Sequence, residues 1–138
     1  MSLEQALFRY VTEHASVGPL LRAQFYPEVA RTAKDPSYPY ATYSQSGEQP
    51  VWHLTAMAGL TNARVLIDLW CESMPQRATL AGAMQQALDT WAGTQREGVA
   101  IRLAQVVDQI DAYVPFEDGS EGGVYQRSLD VNIWYRDT

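Results

Sequence analysis

The sequence predicts a single α+β domain, in which a mainly antiparallel sheet of four or five strands carries two helices on one face. Three observations predict this class. Residues 63–70 alternate between apolar and mixed positions, as expected of a strand with one buried face. Residues 73–93 repeat apolar side chains every three or four positions, as in an amphipathic helix. Residues 128–135 repeat the alternation of the first strand, which suits the two strands to neighbouring places in one sheet.

The central strand runs directly into the best-marked helix of the chain. Ser73 and Gln76 have the spacing of a capping box, in which each side chain satisfies a free backbone amide of the first turn. Pro75 fits the same turn, where a missing N–H costs little. Gly93 is the expected stop, because glycine readily adopts the left-handed conformation that ends helices.

The rest of the chain is less regular. A first helix is expected from Ser2 to near Gly18, with Leu7 and Val11 on its buried stripe. The other expected segments are an apolar connection at 20–27, a loop at 31–39, a strand at 40–46 ended by Gly47, a strand at 51–55, a turn or irregular edge at 56–60, a strand at 99–114 with a bulge near 104–107, and a surface loop or hairpin tip at 115–124.

The two like-patterned strands can be aligned with Trp70 beside Trp134, which also places Asp68 beside Asn132. Both tryptophans then lie on the face opposite the apolar set. That face is either a second layer of core or a surface that meets another subunit, since aromatic residues are frequent at subunit contacts. The contact candidates are Trp70, Trp134, Asp68 and Asn132, together with the acidic loop residues Glu117, Asp118 and Glu121.

Composition excludes several classes of protein. Sixteen acidic residues against ten basic ones give a net charge of -6, which argues against a protein held to nucleic acid by phosphate contacts. The single cysteine, Cys71, excludes an internal disulfide and a cysteine-based zinc site. The sequence shows no signal peptide and no apolar run of about 18 residues, so we expect a cytoplasmic chain that does not span a membrane.

The candidate catalytic residues lack the neighbouring groups that catalysis would need. Cys71 as a nucleophile would need His53 or His14 beside it, with an acid such as Asp68 behind the imidazole. A lone cysteine at the end of a buried strand is more often a small core residue. Asp108 and Asp111 are three residues apart in a strand, which points them to opposite faces and spoils them as an acid–base pair.

Metal and cofactor sites are not predicted either. Glu117, Asp118 and Glu121 crowd a glycine-rich loop that invites calcium, but the ligand order of an EF-hand is absent and a solvated hairpin tip is favoured. The same glycines precede neither a lysine nor a helix, so no phosphate-binding loop is present. The histidines have no ligand spacing, and the four tryptophans lack the interleaved basic residues of a single-strand binding surface.

Three motifs carry a resemblance to a known family. They are residues 39–43 (PYATY), residues 64–70 (RVLIDLW) and residues 125–135 (YQRSLDVNIWY). With the order of elements around them, the chain resembles, over nearly its whole length, the tail-completion or tail-terminator proteins of long-tailed bacteriophages and prophages. The motifs are patterns of fold rather than of catalysis.

The resemblance implies a structural protein without enzymatic activity, made in the host cytoplasm and found in the virion tail. It also implies a ring, typically of six copies, that sits on the tail tube, halts tube growth and offers the head connector a joining surface. The implied partners are the chain itself, the tail tube protein and the head connector protein, with DNA passing through the ring without specific binding. The alternative is a small non-enzymatic binding or regulatory module of a bacterial genome that shares this fold, and a hydrolase is a distant third.

Overall fold

A computed structural model of the chain describes residues 3–22, 24–27, 38–52, 57–96, 98–115 and 122–137. Along these residues the elements are α1 (Leu3–Glu13), α2 (Val17–Leu21), β1 (Phe25–Pro27), β2 (Tyr40–Trp52), β3 (Met57–Cys71), α3 (Met74–Asp89), β4 (Gln95–Arg96), β5 (Val99–Pro115) and β6 (Gly123–Asp137). Within the described residues, none of these helices combines the length and the hydropathy that crossing a bilayer requires.

The strands form one sheet in the order β1-β2-β3-β6-β5-β4. Strand β1 is parallel to β2, and the other neighbours are antiparallel. The four central strands are long, whereas β1 and β4 at the two edges have three and two residues. The predicted α+β class, with a mainly antiparallel sheet and helices on one face, is confirmed.

The core lies between the helices and one face of this sheet. Its sheet side is the apolar set of β3 and β6, and its helix side is the apolar stripe of α3: Ala63, Val65, Ile67, Leu69, Leu129, Val131 and Ile133 pack with Leu80, Ala81, Met84, Ala87 and Leu88. Trp91, just past the end of α3, is 1% exposed and stacks on Tyr10 of α1 with ring centroids 5.0 Å apart. The strand periodicity and the helix periodicity seen in the sequence therefore meet in one layer.

Strands β3 and β6 are neighbours, as predicted, but they run in opposite directions. Trp70 pairs with Gln126, Trp134 pairs with Asn62, and Asp68 pairs with Ser128. The alignment of Trp70 with Trp134 and of Asp68 with Asn132 was therefore wrong. Alternation reports which face a side chain takes, and a strand keeps the same faces when its direction is reversed.

The capping box of α3 forms with one difference from the prediction. Ser73 Oγ accepts the N–H of Gln76 at 3.2 Å, and Gln76 Oε1 accepts the N–H of Glu72 at 2.7 Å. The side chain of Gln76 thus reaches the amide one residue before the cap. The helix ends at Asp89 and not at Gly93; Thr90 follows as its C-cap, and Thr90 Oγ1 donates to the carbonyl oxygens of Gln86 and Ala87.

Replacing Ser73 with alanine is expected to lower the free energy of unfolding by about 1 kcal/mol, because the first turn of α3 loses a side-chain acceptor. Denaturant titration measures the change. Ser16→Ala is the matched control, since Ser16 precedes α2 but its side chain makes no capping hydrogen bond. Equal losses in the two variants would contradict the capping role of Ser73.

Several weaker expectations were wrong. Residues 57–61 belong to β3, and β2 continues through Gly47 as one strand to Trp52, with register shifts at 45/47 and 50/52. Gly47 itself pairs with Arg64, and the register shift lies just before it, so the strand continues past the glycine. Residues 25–27 pair with 41–43 as β1, and residues 20–21 lie in α2. The expected features at residues 2, 31–37, 53–56 and 116–121 lie outside the described residues.

Candidate assembly surface

The sheet face opposite the helices is called here the open face. Strand register assigns its residues, because paired residues of neighbouring strands point to the same side. Leu66 and Trp70 of β3, Trp134 of β6, and Leu103 and Ile110 of β5 all lie on it. Leu66, Leu103 and Ile110 are 38%, 45% and 63% exposed. The open face therefore presents apolar side chains that no described helix covers.

Trp70 is half-buried and held within its own protomer. Its ring stacks on Tyr40 of β2, with centroids 6.0 Å apart and an interplanar angle of 14°. Its Nε1–H donates to Thr42 Oγ1 at 3.4 Å. Burial, and then the neighbouring Tyr38, raise the pKa of Tyr40 above its usual value, so this phenol is neutral at physiological pH. At this end of the open face, stacking and a hydrogen bond thus hold the Trp70 ring in place.

Trp134 lies at the other end of the open face. It pairs with Asn62, whereas Trp70 stands eight positions along β3, which corresponds to roughly 26 Å. Trp134 is also half-buried, and it pairs with exposed Leu103 of β5. The two tryptophans therefore share a face, as predicted, but they form separate patches.

The predicted polar contact residues take part in hydrogen bonds across β3 and β6. Ser128 Oγ donates to Asp68 Oδ1 at 2.5 Å, and Asn62 Nδ2 donates to Asn132 Oδ1 at 2.5 Å. Between these pairs, the guanidinium of Arg64 donates to both carboxylate oxygens of neighbouring Asp130, at 3.1 and 2.8 Å. Asp68 and Asn132 thus help to hold the two central strands together, whatever they contact beyond the protomer.

Glu117, Asp118 and Glu121 lie outside the described residues. The strands on either side of them pair up to Pro115 and Gly123, so the acidic segment connects the two strands of the β5–β6 hairpin. Its role as a contact stays a prediction.

Sequence reasoning missed the exposed apolar residues of β5. The register of β5 shifts between Ile101 and Leu103 and again between Val106 and Asp108. Each shift moves the later side chains of the strand to the opposite face of the sheet, so one alternating pattern along β5 cannot place Leu103 and Ile110 on the correct face. One bulge was predicted near 104–107, but the other was not. Leu66 could have been found, because it has the same parity as Trp70 in an unbroken strand.

A charged cluster on the helix side fixes the β5–β6 hairpin to α3. Arg127 donates to both carboxylate oxygens of Asp111, at 2.6 and 3.0 Å. Arg77 of α3, which is buried, lies 3.5 Å from the same carboxylate and 5.6 Å from the ring centroid of Tyr125. The hydrogen bond from Arg127, with the positive charges of Arg127 and Arg77, holds the pKa of Asp111 below its usual value, against the effect of burial.

This cluster predicts a small acid-sensitive contribution to stability. Because the pKa of Asp111 is lower in the folded chain, its contribution is present above the unfolded-state value of about 3.9 and is lost as pH falls through the folded-state value. Asp111 is 42% exposed, so solvent screening limits the contribution to about 1 kcal/mol or less. In denaturant titrations from pH 7 to pH 2, Asp111→Asn should flatten the acid limb. Asp108→Asn, on the open face, is the control, and flattening in it alone would contradict the assignment.

Cys71 and His14, two of the candidate catalytic groups, have structural surroundings. Cys71 is buried, and burial raises the pKa of its thiol to about 11 despite the nearby Arg77 and Arg127, so the thiol is neutral at pH 7. His14 Nδ1 accepts the backbone N–H of Ser16 at 3.1 Å, and His53 lies outside the described residues. The expectation that Asp108 and Asp111 point to opposite faces is confirmed, since they pair with Asp130 and Arg127.

The described part of the chain contains no cluster of metal-binding side chains, and one groove in it can be described. Among those residues, no group of three or more histidine, cysteine, aspartate or glutamate side chains is placed to hold an ion. A shallow groove of about 340 Å³ lies between α2, Pro39 and the start of α3. Its described lining consists of apolar residues with Gln76 and Thr79 and has no ionisable side chain.

Comparisons with known proteins agree with this description. The family described as "Tail completion protein gp17" matches residues 5–136. Among solved structures, a chain of the virion of a native gene transfer agent particle has the same fold, with a TM-score of 0.66 at 14% sequence identity over 98% of this chain and 95% of that one. No curated protein matches.

The family match spans nearly the whole chain, including all three motifs on which the resemblance was based. At 14% identity the likeness to the solved structure supports the fold of this chain and nothing more specific. The chain therefore belongs to the family of tail completion proteins, which are structural components of phage tails.

Proposed function

We propose that this chain forms a homo-oligomeric ring, typically of six copies, that caps the phage tail tube and provides the surface on which the head is joined. The observation that carries the proposal is the open face, a β-surface of a tail protein on which apolar side chains stay exposed in the lone protomer. Exposed apolar patches on soluble proteins commonly mark interaction sites. The neighbouring copy is the natural occupant, because closed rings are built from repeated contacts between identical chains.

The proposed contact has an apolar centre and polar surroundings. Leu66 lies at its centre, with Trp70 toward one end and Trp134 toward the other. Asp68 and Asn132 flank the centre and retain acceptor oxygens beyond their bonds within the sheet. Glu117, Asp118 and Glu121 are proposed as further contacts with a neighbouring copy. An apolar centre with a polar rim is the usual composition of a protein contact.

The net charge suits the proposed path of DNA. A chain of charge -6 repels phosphates on average, so DNA can slide through a ring of such chains without being held. The ring is proposed to assemble in the host cytoplasm on the tube protein and then to meet the head connector protein. A prophage origin is equally compatible with this role.

A genetic experiment tests the function. In the phage or prophage that encodes this chain, deletion of the gene should leave tails that are overlong or fail to join heads, as seen by electron microscopy of lysates. Supplying the gene from a plasmid should restore joined virions. Normal virions from the deletion strain would reject the proposal and favour the alternative, a small binding or regulatory module with this fold.

A further inference from the structure

Strand β5 carries most of the large apolar side chains that are exposed in the described part of the chain. There are eight of them, and those on β5 are Leu103, Val107, Ile110, Tyr113 and Val114. Every residue from Val107 to Pro115 is exposed. Edge strands of stable monomers are usually short or shielded, because a long apolar edge pairs with other chains.

Two features bound the part of β5 whose outer side has no described partner strand. At one end, β4 pairs with Val99 and Ala100, and the backbone of Ile101 is hydrogen-bonded to the residues just before β4. At the other end, the strand stops at Pro115. Between these ends, no described strand lies beside the outer side of β5. Residues 102–115 are called here the β5 edge.

The middle of the β5 edge has a backbone donor that is satisfied only locally. The N–H of Gln109 donates to the side chain of its neighbour Asp108, with N and Oδ1 2.9 Å apart. In a paired antiparallel strand, such an N–H donates to a carbonyl oxygen of the next strand. A side-chain acceptor on the same strand is a substitute that a partner strand can replace.

The side chains of the β5 edge fit the same edge of a second copy. A two-fold axis at Gln109 makes the two strands antiparallel, and Val107, which has no partner in the register with β6, is left out again. The facing residues are then 108 with 110, 106 with 111, 105 with 112, 104 with 113, 103 with 114 and 102 with 115. From 103 to 110 the facing residues lie on the same side of the sheet, as the register with β6 shows.

The extent of β4 selects this register. A partner strand moved toward Ile101 runs into β4, which already occupies that side of β5. A partner strand moved the other way leaves exposed apolar residues of the β5 edge without cover. The two-fold axis at Gln109 is central to residues 102–115, so it pairs the whole edge.

The charges of the strand agree with a second copy as the partner. No acidic residue lies directly opposite another, because Asp108 and Asp111 both face apolar side chains in this register. Exposed Arg102 lies opposite the end of the partner's strand, which the sequence continues with Glu117 and Asp118. Opposite charges brought together and like charges kept apart favour a pairing of strands.

We propose that the free chain, before it joins a tail, is a dimer in which β5 pairs with β5 of a second copy, antiparallel about a two-fold axis at Gln109. A two-fold contact uses the same patch on both copies and stops at two, so it cannot be the repeated contact of a ring. Leu103 and Ile110, which also lie on the open face, are held in the dimer. The dimer therefore has to part before a ring can use them, which limits ring closure away from a tail tube.

Lysine variants of two exposed glutamines of β5 test the dimer in the full chain. Light scattering of the purified parent chain should give twice the chain mass of 15.4 kDa. Gln109→Lys places two positive charges opposite each other on the axis, so this variant should be a monomer at concentrations where the parent is a dimer. Gln105→Lys is the matched control, because it faces Ala112 and should remain a dimer.

Single cysteines test the register. Facing residues of antiparallel strands have Cα atoms about 4.5 to 5.5 Å apart, which a disulfide can bridge. After oxidation, Gln109→Cys alone should run as a dimer in non-reducing electrophoresis, and Gln105→Cys alone should run as a monomer. The double variant Gln105→Cys/Ala112→Cys should again give the dimer. Native Cys71 is buried, and its raised thiol pKa of about 11 makes it slow to react.

Three results would overturn the proposal. They are a parent chain that scatters as a monomer at every concentration, equal dimer bands from Gln105→Cys and Gln109→Cys, and a ladder of higher multiples from Gln109→Cys. None of them affects the tail function, which the deletion experiment tests separately.

Discussion

Replacement of Trp91 by alanine is expected to lower the free energy of unfolding by about 3–5 kcal/mol. Trp91 is 1% exposed, and its ring stacks on Tyr10, whose hydroxyl in turn donates to the carbonyl oxygen of Ala87 in α3. Truncation removes the contact between α1 and the end of α3 and leaves a cavity that the surrounding backbone cannot close. Denaturant titration followed by circular dichroism measures the loss.

Trp134→Ala is the matched control for this prediction. The same side chain is removed, but from the open face, where it is half-buried, so the loss should be less than half as large. Trp91→Phe keeps the stacking partner of Tyr10 and should cost an intermediate amount, which keeps the comparison usable if the alanine variant does not fold. Equal losses at positions 91 and 134 would contradict the assignment of the core to the helix side.

Leu66→Lys is expected to abolish productive assembly while leaving the protomer folded. Leu66 is 38% exposed at the centre of the open face, so a lysine there reaches solvent in the lone protomer but places a charge inside the proposed subunit contact. The loss of a central apolar contact, about 2 kcal/mol or more, weakens self-association at each contact by at least roughly thirtyfold. The yield of joined virions in complementation, with light scattering of the purified chain, measures the effect.

Met74→Lys is the control for assembly. Met74 is also an exposed apolar residue, but it stands in the first turn of α3 on the other side of the sheet. Both variants should unfold within about 0.5 kcal/mol of the parent chain. Normal virion yields from Leu66→Lys would show that the open face is not the subunit contact.

The parts of the fold that the sequence predicted are those where the spacing of apolar residues has one interpretation. The unbroken alternations of 63–70 and 128–135 correctly predicted the buried faces of β3 and β6. The capping box correctly predicted the start of α3, except that the Gln76 side chain bonds the amide of Glu72 and not that of Ser73. Strand direction was not predictable, since alternation has no polarity. The distant pairing that creates β1 leaves no pattern in three residues.

The candidate surface was predicted in part for the same reason. Trp70 and Trp134 were placed on the correct face, but their separation depended on the antiparallel register. The exposed residues of β5 were hidden by two bulges, each of which adds one residue and reverses the parity of all later positions in the strand. Exposure also depends on what packs over the sheet, because Ile110 is exposed on a face that no described helix covers.

Electron cryomicroscopy of the tail end of virions that carry this chain can show whether the open face meets sister copies. We expect a closed ring in which Leu66 and Ile110 of each copy lie within about 4.5 Å of a neighbouring copy. A tail end in which those residues face solvent, or in which the chain is present as a single copy, would contradict it.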